Sequence, residues 1–302
     1  MPGTCAMHSD NQAPFHPLLL AALAMLAFAG NSLLCRLALR SASIDAASFT
    51  SLRLLSGALV LALIVRLRSG VFSNHGDWPS AGALFVYAAA FSWAYLQLSA
   101  ATGALLLFGA VQVSMIAFGL YKGERLRSLQ WLGFALACSG LVVMLLPGLA
   151  APPLAASLWM LCAGLAWGMY SLRGRGRGDA TEVTAGNFWR ASLLALLLSL
   201  VTMGSVHAQR SGVLLALASG ALASGLGYSI WYMALRSLLP SSAAAIQLTV
   251  PALAGAGAVL FLDEPLTLRL ALSSLVILGG VALVIAGKRR EKTGEPPRLP
   301  GA

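Results

Sequence analysis

Charge is scarce in this sequence. Its 20 Lys and Arg and 10 Asp and Glu make up only 10% of 302 residues, whereas 58% of the residues are hydrophobic. A soluble domain covers its surface with roughly a quarter charged residues, so this composition predicts an integral membrane protein. The net charge of +10 does not indicate a nucleic-acid-binding protein, because the basic residues lie in short segments between apolar runs.

Cysteine is also rare, and its four copies follow no disulfide or metal-binding pattern. No pair has the Cys-x-x-Cys spacing of a zinc site. Cys35, Cys138 and Cys162 lie in apolar runs and are interpreted as small core residues. We therefore predict no metal site and no other cofactor.

Carboxylate and imidazole groups are missing from the middle of every apolar run. All ten Asp and Glu and all four His lie in tails, in loops or at the ends of runs. An ionisable side chain at mid-membrane would be the strongest pointer to a proton relay, and acid–base or metal-dependent catalysis needs such groups as well. We therefore predict no catalytic residues and a protein that is not an enzyme.

Long apolar runs are what the sequence has instead. About 20 apolar residues cross a bilayer as a helix, and only helices or closed barrels satisfy the backbone in lipid. The first run is too long for a signal-peptide core and is interpreted as a retained helix. The ten predicted spans are 17–39, 46–65, 80–98, 102–121, 128–146, 154–172, 184–203, 212–234, 241–262 and 268–286.

The basic residues predict the orientation. With the N-terminus in the cytoplasm, fourteen of the 20 Lys and Arg fall in inner connections or the C-terminal tail, and four fall in outer connections. Inner loops are enriched in Lys and Arg. Both termini are therefore predicted to be cytoplasmic.

A shift of about 138 residues superposes one half of the chain on the other. Arg53 then falls on Arg190, and Trp93 falls on Trp231. Because each half has five spans, an odd number, the second half would enter the membrane upside down. The predicted fold is an all-α membrane protein with two inverted five-helix repeats around a central cavity. Its parts are an N-terminal tail 1–16, a first repeat 17–147, a second repeat 154–287 and a basic C-terminal tail 288–302.

Aromatic residues follow helical spacing in three spans. Such rings either line a binding site or simply pack in the core. A tyrosine facing lipid would leave its hydroxyl unpaired, which favours inward-facing rings. An inward wall of Tyr and Trp suits a planar, partly apolar solute, or an ammonium group held over a ring. The sets are Tyr87, Phe91 and Tyr95 in the third span, Trp167 and Tyr170 in the sixth, and Tyr228, Trp231 and Tyr232 in the eighth.

Proline distinguishes the ninth span. Pro251 lacks a backbone donor and clashes with the carbonyl of Gln247 four residues earlier. We expect a bend there, and interpret Pro251 as a hinge, with Gln247 and Thr249 in the substrate wall. A static kink is the alternative.

Two arginines lie inside predicted spans. Arg53 and Arg190 are each about seven residues into their helices, about 10 Å along the axis. They either meet a substrate carboxylate at two gates, or they hold the repeats together by reaching headgroups and helix-end carbonyls. The second interpretation is favoured, because duplication alone explains their symmetry.

These motifs together resemble the ten-helix EamA-type members of the drug/metabolite transporter superfamily, over about residues 17–287. The segments that carry the resemblance are Gly30-Asn31-Ser32, Phe49-x-x-x-Arg53, Gly123-Glu124-Arg125-Leu126, Trp167-Gly168-x-Tyr170, Arg190, and Pro251 followed by Asp263-Glu264-Pro265.

The resemblance implies alternating access in a plasma (inner) membrane, with spans 1–4 and 6–9 around the cavity and spans 5 and 10 outside. One departure concerns Val111, which stands where a second proline is common in this family. Symmetric bending of the two halves is therefore not expected. The cavity wall carried over from the family is Asn31, Tyr87, Trp93, Tyr95, Gln112, Trp167, Tyr170, Trp231 and Gln247.

The function expected from the sequence is a carrier that exports amino acids, aromatic or large neutral ones. A broader exporter of drugs or metabolites is the alternative within transport, and a solute channel is the alternative from another class. The expected partners are a small-molecule substrate and the lipid bilayer. The sequence does not specify an oligomeric state and is compatible with a monomer.

Overall fold

The computed structural model describes residues 17–69, 75–123, 125–147, 151–174, 179–235 and 246–293. The N-terminal tail 1–16, Glu124 and the first part of the predicted ninth span, 241–245, lie outside the described residues. Within the described ranges the helices are α1 (Pro17–Arg40), α2 (Ala46–Ser69), α3 (Trp78–Tyr95), α4 (Ala100–Tyr121), α5 (Ser128–Leu145), α6 (Leu154–Arg173), α7 (Ala180–Val201), α8 (Arg210–Ala218), α9 (Gly227–Leu235), α10 (Thr249–Leu262) and α11 (Leu268–Thr293).

Eight helical stretches in the described part of the chain are long and apolar enough to cross a membrane, whereas the sequence predicts ten spans. The third predicted span is α3, whose Trp, Tyr, Ser and Pro residues lower its mean hydropathy. The ninth predicted span is described from Thr249 as the 14-residue helix α10. Helix α11 runs to Thr293, beyond its predicted end at 286, because a helix continues readily into a Lys- and Arg-rich segment.

Side-chain caps define where several helices begin. The Asp77 carboxylate accepts from the backbone N–H of Ser80 at the start of α3, and the Ser99 hydroxyl accepts from the N–H of Thr102 at the start of α4. Asp179 caps α7 in the same way. Such caps satisfy backbone donors that have no partner within the helix.

Contacts between α2 and α7 show that these two helices run antiparallel. Near the start of α2, the Ser51 hydroxyl donates to the carbonyl oxygen of Ala195, 2.8 Å away, near the end of α7. Near the end of α2, the Arg68 guanidinium donates to the Thr181 hydroxyl, 3.4 Å away, at the start of α7. The residue numbers rise along one helix as they fall along the other.

Helices α5 and α11 meet through glycine. A Cβ atom on Gly133 would lie 2.5 Å from the carbonyl oxygen of Gly280, and one on Gly280 would lie 2.5 Å from the carbonyl oxygen of Gly133. Gly140 and Ile277 make the next contact, so this pair is also antiparallel. Small residues permit such close backbone approach.

We expect Gly280→Val to destabilise the protein by about 1–3 kcal/mol, because the added side chain overpacks a backbone contact. Gly279→Val is the matched control, since a Cβ on Gly279 meets nothing within 4 Å. Thermal unfolding in detergent measures both variants. Equal transition temperatures for the two variants would contradict the glycine contact.

A π-helical segment, Ser219–Leu226, joins α8 to α9. This segment lies within the predicted eighth span, 212–234. Its small residues allow close contact with α2, because a Cβ on Gly220 would overlap the carbonyl oxygen of Arg53. Wide turns of this kind are rare and often occur at functional sites.

Candidate functional site

A small cavity lies at the centre of the bundle, between the two halves of the chain. Its volume is about 20 Å³, which is room for a water molecule or two and not for an amino acid. The side chains that line it are Phe28, Asn31, Ser32, Tyr87, Phe91, Leu107, Phe108, Trp167, Ala223 and Tyr228.

Four rings from four helices surround this cavity, and we call Phe28, Tyr87, Trp167 and Tyr228 the aromatic cluster. Trp167 lies at its centre, with its ring centroid 4.8 Å from that of Tyr87, 4.9 Å from that of Tyr228 and 6.4 Å from that of Phe28. Tilted and edge-on ring contacts of this kind are favourable. The cluster therefore joins α1 and α3 of the first half to α6 and α9 of the second half.

The π-helical segment supplies polar partners beside the aromatic cluster. The Ser219 hydroxyl donates to the Asn31 side-chain oxygen, 2.6 Å away, and Ser224 accepts from Arg53 Nε, 3.2 Å away. Both serines are fully buried. These bonds satisfy polar groups that would otherwise be stranded in an apolar interior.

Arg53 is enclosed by protein, with 1% of its surface exposed. One terminal nitrogen, Nη2, donates to the Tyr87 hydroxyl, 2.9 Å away. The guanidinium carbon lies 5.1 Å from the ring centroid of Tyr87 and 4.9 Å from that of Phe91. Arg53 therefore contacts two residues that line the cavity, Tyr87 and Phe91, and does not reach toward the surface.

Arg190 has different surroundings, although a repeat shift superposes it on Arg53. It is partly exposed, and its Nη1 donates to the carbonyl oxygens of His75 and Gly186, 3.2 and 3.0 Å away. Its guanidinium carbon lies 6.0 Å from the ring centroid of Trp78, near the start of α3. The two arginines are thus unequal in burial and partners.

Six of the predicted site residues lie at or next to the cavity. Asn31, Tyr87 and Trp167 line it. The other three contact a lining ring: Tyr95 contacts Phe91, Tyr170 contacts Trp167, and Trp231 contacts Phe28, with centroids 4.7, 5.6 and 6.0 Å apart.

The other predicted wall residues lie elsewhere. Gln112 is buried in α4, Trp93 is half-buried against the core, and Gln247 is half-buried outside the lining. Thr249 is exposed, and its hydroxyl donates to the carbonyl oxygen of Ile246, 2.7 Å away.

The helix around Pro251 is interrupted. Residues 246 and 247 are helical, Leu248 is a turn, and α10 begins at Thr249. Pro251 therefore lies in the first turn of α10, where a missing N–H costs nothing. The break is next to Gln247. Because Pro251 has no N–H, the carbonyl of Gln247 lacks its usual backbone donor.

Some lining residues were not predicted from the sequence, among them Phe28, Phe108 and Tyr228. Helical spacing could have found two of them. Phe28 lies three residues before Asn31, and Phe108 lies four residues before Gln112, so each shares a face with a polar residue of its helix. Tyr228 belongs to the aromatic set predicted for the eighth span, but its position depends on the π-helical segment before it.

An ion pair links several helices at one end of the bundle, which we call the Glu264 end. Arg36 Nε lies 2.8 Å from Glu264 Oε1, and the backbone N–H of Ala100 donates to Glu264 Oε2, 2.7 Å away. Arg36 also donates to the carbonyl oxygen of Tyr95. Because both charged side chains are largely buried, the cluster ties α1, α3 and α4 to the segment after α10.

The opposite end, which we call the Asp77 end, has its own ion pair. Arg173 Nη2 lies 2.9 Å from Asp77 Oδ1, joining the end of α6 to the start of α3. Burial alone would raise the pKa of Asp77, but hydrogen bonds from the Ser80 N–H and hydroxyl and from Arg173 outweigh it and lower the pKa to about 2. Asp77 therefore stays ionised at neutral pH.

These observations define a class of protein: a multi-pass membrane bundle with a central cavity shared by its two halves. The chain belongs to the EamA-like transporter family, which matches it twice, over residues 16–146 and 154–286. It is therefore a membrane transporter of the drug/metabolite type.

Two relatives accompany this assignment. An uncharacterised protein of Pseudomonas aeruginosa is 57% identical over 270 residues, which cover 89% of this chain and 94% of that protein. A protein of known crystal structure is 22% identical and superposes with a TM-score of 0.66, over 91% of this chain and 98% of its own. That structure supports the fold alone.

Proposed function

We propose that this protein is an inner-membrane carrier that exports amino acids, aromatic or large neutral ones, by alternating access. The observation that carries the proposal is the aromatic cluster, which brings rings from both halves of the chain around one central cavity. Rings bind planar apolar groups by stacking and bind an ammonium group over a ring face. The aromatic content also resembles that of YddG, a bacterial exporter of aromatic amino acids.

We further infer ten spans in two inverted repeats. The antiparallel contacts of α2 with α7, and of α5 with α11, support this relation, since each pair joins equivalent helices of the two halves. Equivalent helices must run in opposite directions when one repeat is inverted. The distribution of Lys and Arg supports cytoplasmic termini, which puts the Glu264 end outside the cell and the Asp77 end inside.

Alternating access assigns separate roles to the two ends. Substrate must enter from the cytoplasm through the Asp77 end and leave through the Glu264 end. A cavity of about 20 Å³ with ion pairs at both ends fits a state that is closed around its centre. The break in the helix before Pro251 supports a hinge there.

Two other functions are weighed against this proposal. A channel keeps a continuous pore, and a central cavity of only about 20 Å³ favours a carrier instead. A broader drug or metabolite exporter would bind its substrates through the same rings and would depend less on hydrogen bonds from the polar groups.

Uptake into proteoliposomes tests the substrate. We expect saturable uptake of labelled Phe and Trp, and competition by unlabelled Tyr and Leu but not by Lys or Glu, because the lining is aromatic and carries no ionised side chain. Empty liposomes are the control. Equal competition by all of these amino acids, or by none, would contradict an aromatic or large neutral substrate.

A further inference from the structure

Arg53 carries a buried charge that no carboxylate of the described residues pairs with. In the part of the chain that the structure describes, no carboxylate oxygen lies within 4.0 Å of its guanidinium. Its two hydrogen-bond partners are hydroxyl groups, those of Ser224 and Tyr87. A buried cation without a counter-charge is costly, and such residues within a membrane mark substrate or ion sites.

The guanidinium also has an unused donor. Nη1 of Arg53 is buried, and no group of the described residues accepts a hydrogen bond from it. The two flanking rings, Tyr87 and Phe91, attract the cation but accept no conventional hydrogen bond from Nη1. A buried donor left unpaired costs about as much as a lost hydrogen bond. Nη1 is therefore available to donate to an acceptor.

Tyr87 connects this charge to the cavity. Its hydroxyl accepts the bond from Arg53 Nη2, 2.9 Å away, and so keeps its own hydrogen available to donate. Tyr87 lines the cavity. A hydroxyl that accepts a bond from a cation becomes a stronger donor, so the effect of the buried charge extends to the cavity surface.

We propose that Arg53 and Tyr87 form an anion subsite that binds a carboxylate of the substrate. The carboxylate accepts one bond from the Tyr87 hydroxyl and, when the rings separate, a second from Arg53 Nη1. The aromatic body of the substrate then lies against Trp167 and Phe28. Arg190 does not provide a second such subsite, because backbone carbonyls already accept from its Nη1.

This inference rests on the proposed function and identifies the carboxylate as the substrate group that the protein recognises. Its test separates the two charged groups of phenylalanine with three probes: phenylalanine, 3-phenylpropionate, which lacks the ammonium group, and phenethylamine, which lacks the carboxylate. Binding is measured as the thermal shift of the purified protein against probe concentration, which does not require transport.

We expect wild-type protein to bind 3-phenylpropionate at least about tenfold more tightly than phenethylamine, because a hydrogen bond to a charged group contributes that much. Arg53→Met should weaken phenylalanine and 3-phenylpropionate by about 10- to 100-fold and leave phenethylamine unchanged. Arg53→Lys should restore part of the loss, because it restores the charge. Arg66→Met is the matched control, an exposed arginine of the same helix.

Two results would overturn the subsite. One is equal binding of 3-phenylpropionate and phenethylamine to wild-type protein, which needs no variant to fold. The other is an equal loss of all three probes in Arg53→Met, which would indicate a purely structural arginine. If Tyr87→Phe is folded, it must also lose selectivity for the carboxylate. Tight 3-phenylpropionate binding without uptake of Phe or Trp would refute amino acid transport and leave the subsite standing.

Discussion

Trp167→Ala should lower the efficiency of Phe uptake by about 10- to 100-fold. Trp167 contacts Tyr87 and Tyr228 across the central cavity, with ring centroids less than 5 Å away. Each aromatic pair contributes about 0.5–1.5 kcal/mol, and about 1.4 kcal/mol corresponds to a tenfold change. The loss should appear in initial rates of uptake into proteoliposomes, normalised to reconstituted protein.

The chain offers a matched control on the same helix. Trp159 of α6 is 49% exposed, so Trp159→Ala should leave transport near the wild-type rate. Replacing a core Trp by Ala lowers the free energy of unfolding by about 3–5 kcal/mol. Trp167→Phe keeps a ring in the cavity and is therefore the variant to use if Trp167→Ala does not fold. A folded Trp167→Ala protein with wild-type uptake would remove the aromatic cluster from the substrate path.

Glu264→Ala should open the Glu264 end of the bundle. The substitution leaves Arg36 buried without its counter-charge and Ala100 N–H without its acceptor. Removing one partner of a buried ion pair costs about 3–5 kcal/mol. We therefore expect the closed state to be depopulated by at least about 100-fold relative to the open one.

A native cysteine reports this opening. Cys35 is fully buried in α1, one residue before Arg36. In a background without Cys5, Cys138 and Cys162, a maleimide should label Cys35 at least about 100-fold faster in Glu264→Ala than in wild type.

Asp263→Asn provides the comparison for this experiment. Asp263 is exposed next to Glu264 and has a left-handed backbone conformation, with φ of 52°, which asparagine tolerates. Cys35 should be labelled in Asp263→Asn at the wild-type rate. Wild-type labelling of Cys35 in a folded Glu264→Ala protein would show that the ion pair does not hold this end closed.

The sequence predicted the helices well where apolar runs have clear ends. The sixth span was predicted at 154–172 and is observed as Leu154–Arg173, because Pro153 and Arg173 bracket the run. The third and eighth spans were also predicted within a few residues, but the low hydropathy of α3 and the π-helical segment of the eighth span were not. The Trp, Tyr, Ser and Pro residues of α3 keep it out of the eight helices apolar enough to cross a membrane, and a π-helical segment has no simple periodicity to detect.

The site was harder to predict than the helices. Spacing shows which residues share a face of one helix, and this was enough to nominate Asn31, Tyr87 and Trp167, which line the cavity. It does not show how far each helix rotates toward its neighbours, so Gln247 and Thr249 were nominated although they lie outside the lining.

The environment of Arg53 shows the same limit. Whether an arginine inside a span reaches the surface or stays buried depends on neighbours from other helices. Here Ser224 and Tyr87 provide hydroxyl acceptors at 3.2 and 2.9 Å, and neither is near Arg53 in sequence.

Exchange across the membrane tests the central proposal most directly. Proteoliposomes loaded with unlabelled Phe should take up labelled Phe faster than empty ones. The cavity of a carrier opens to one side at a time, so internal Phe can bind for the return step and speed each cycle. The acceleration should disappear in Trp167→Ala and persist in Trp159→Ala. Uptake that neither saturates nor responds to internal Phe would identify an open pore and contradict alternating access through the aromatic cluster.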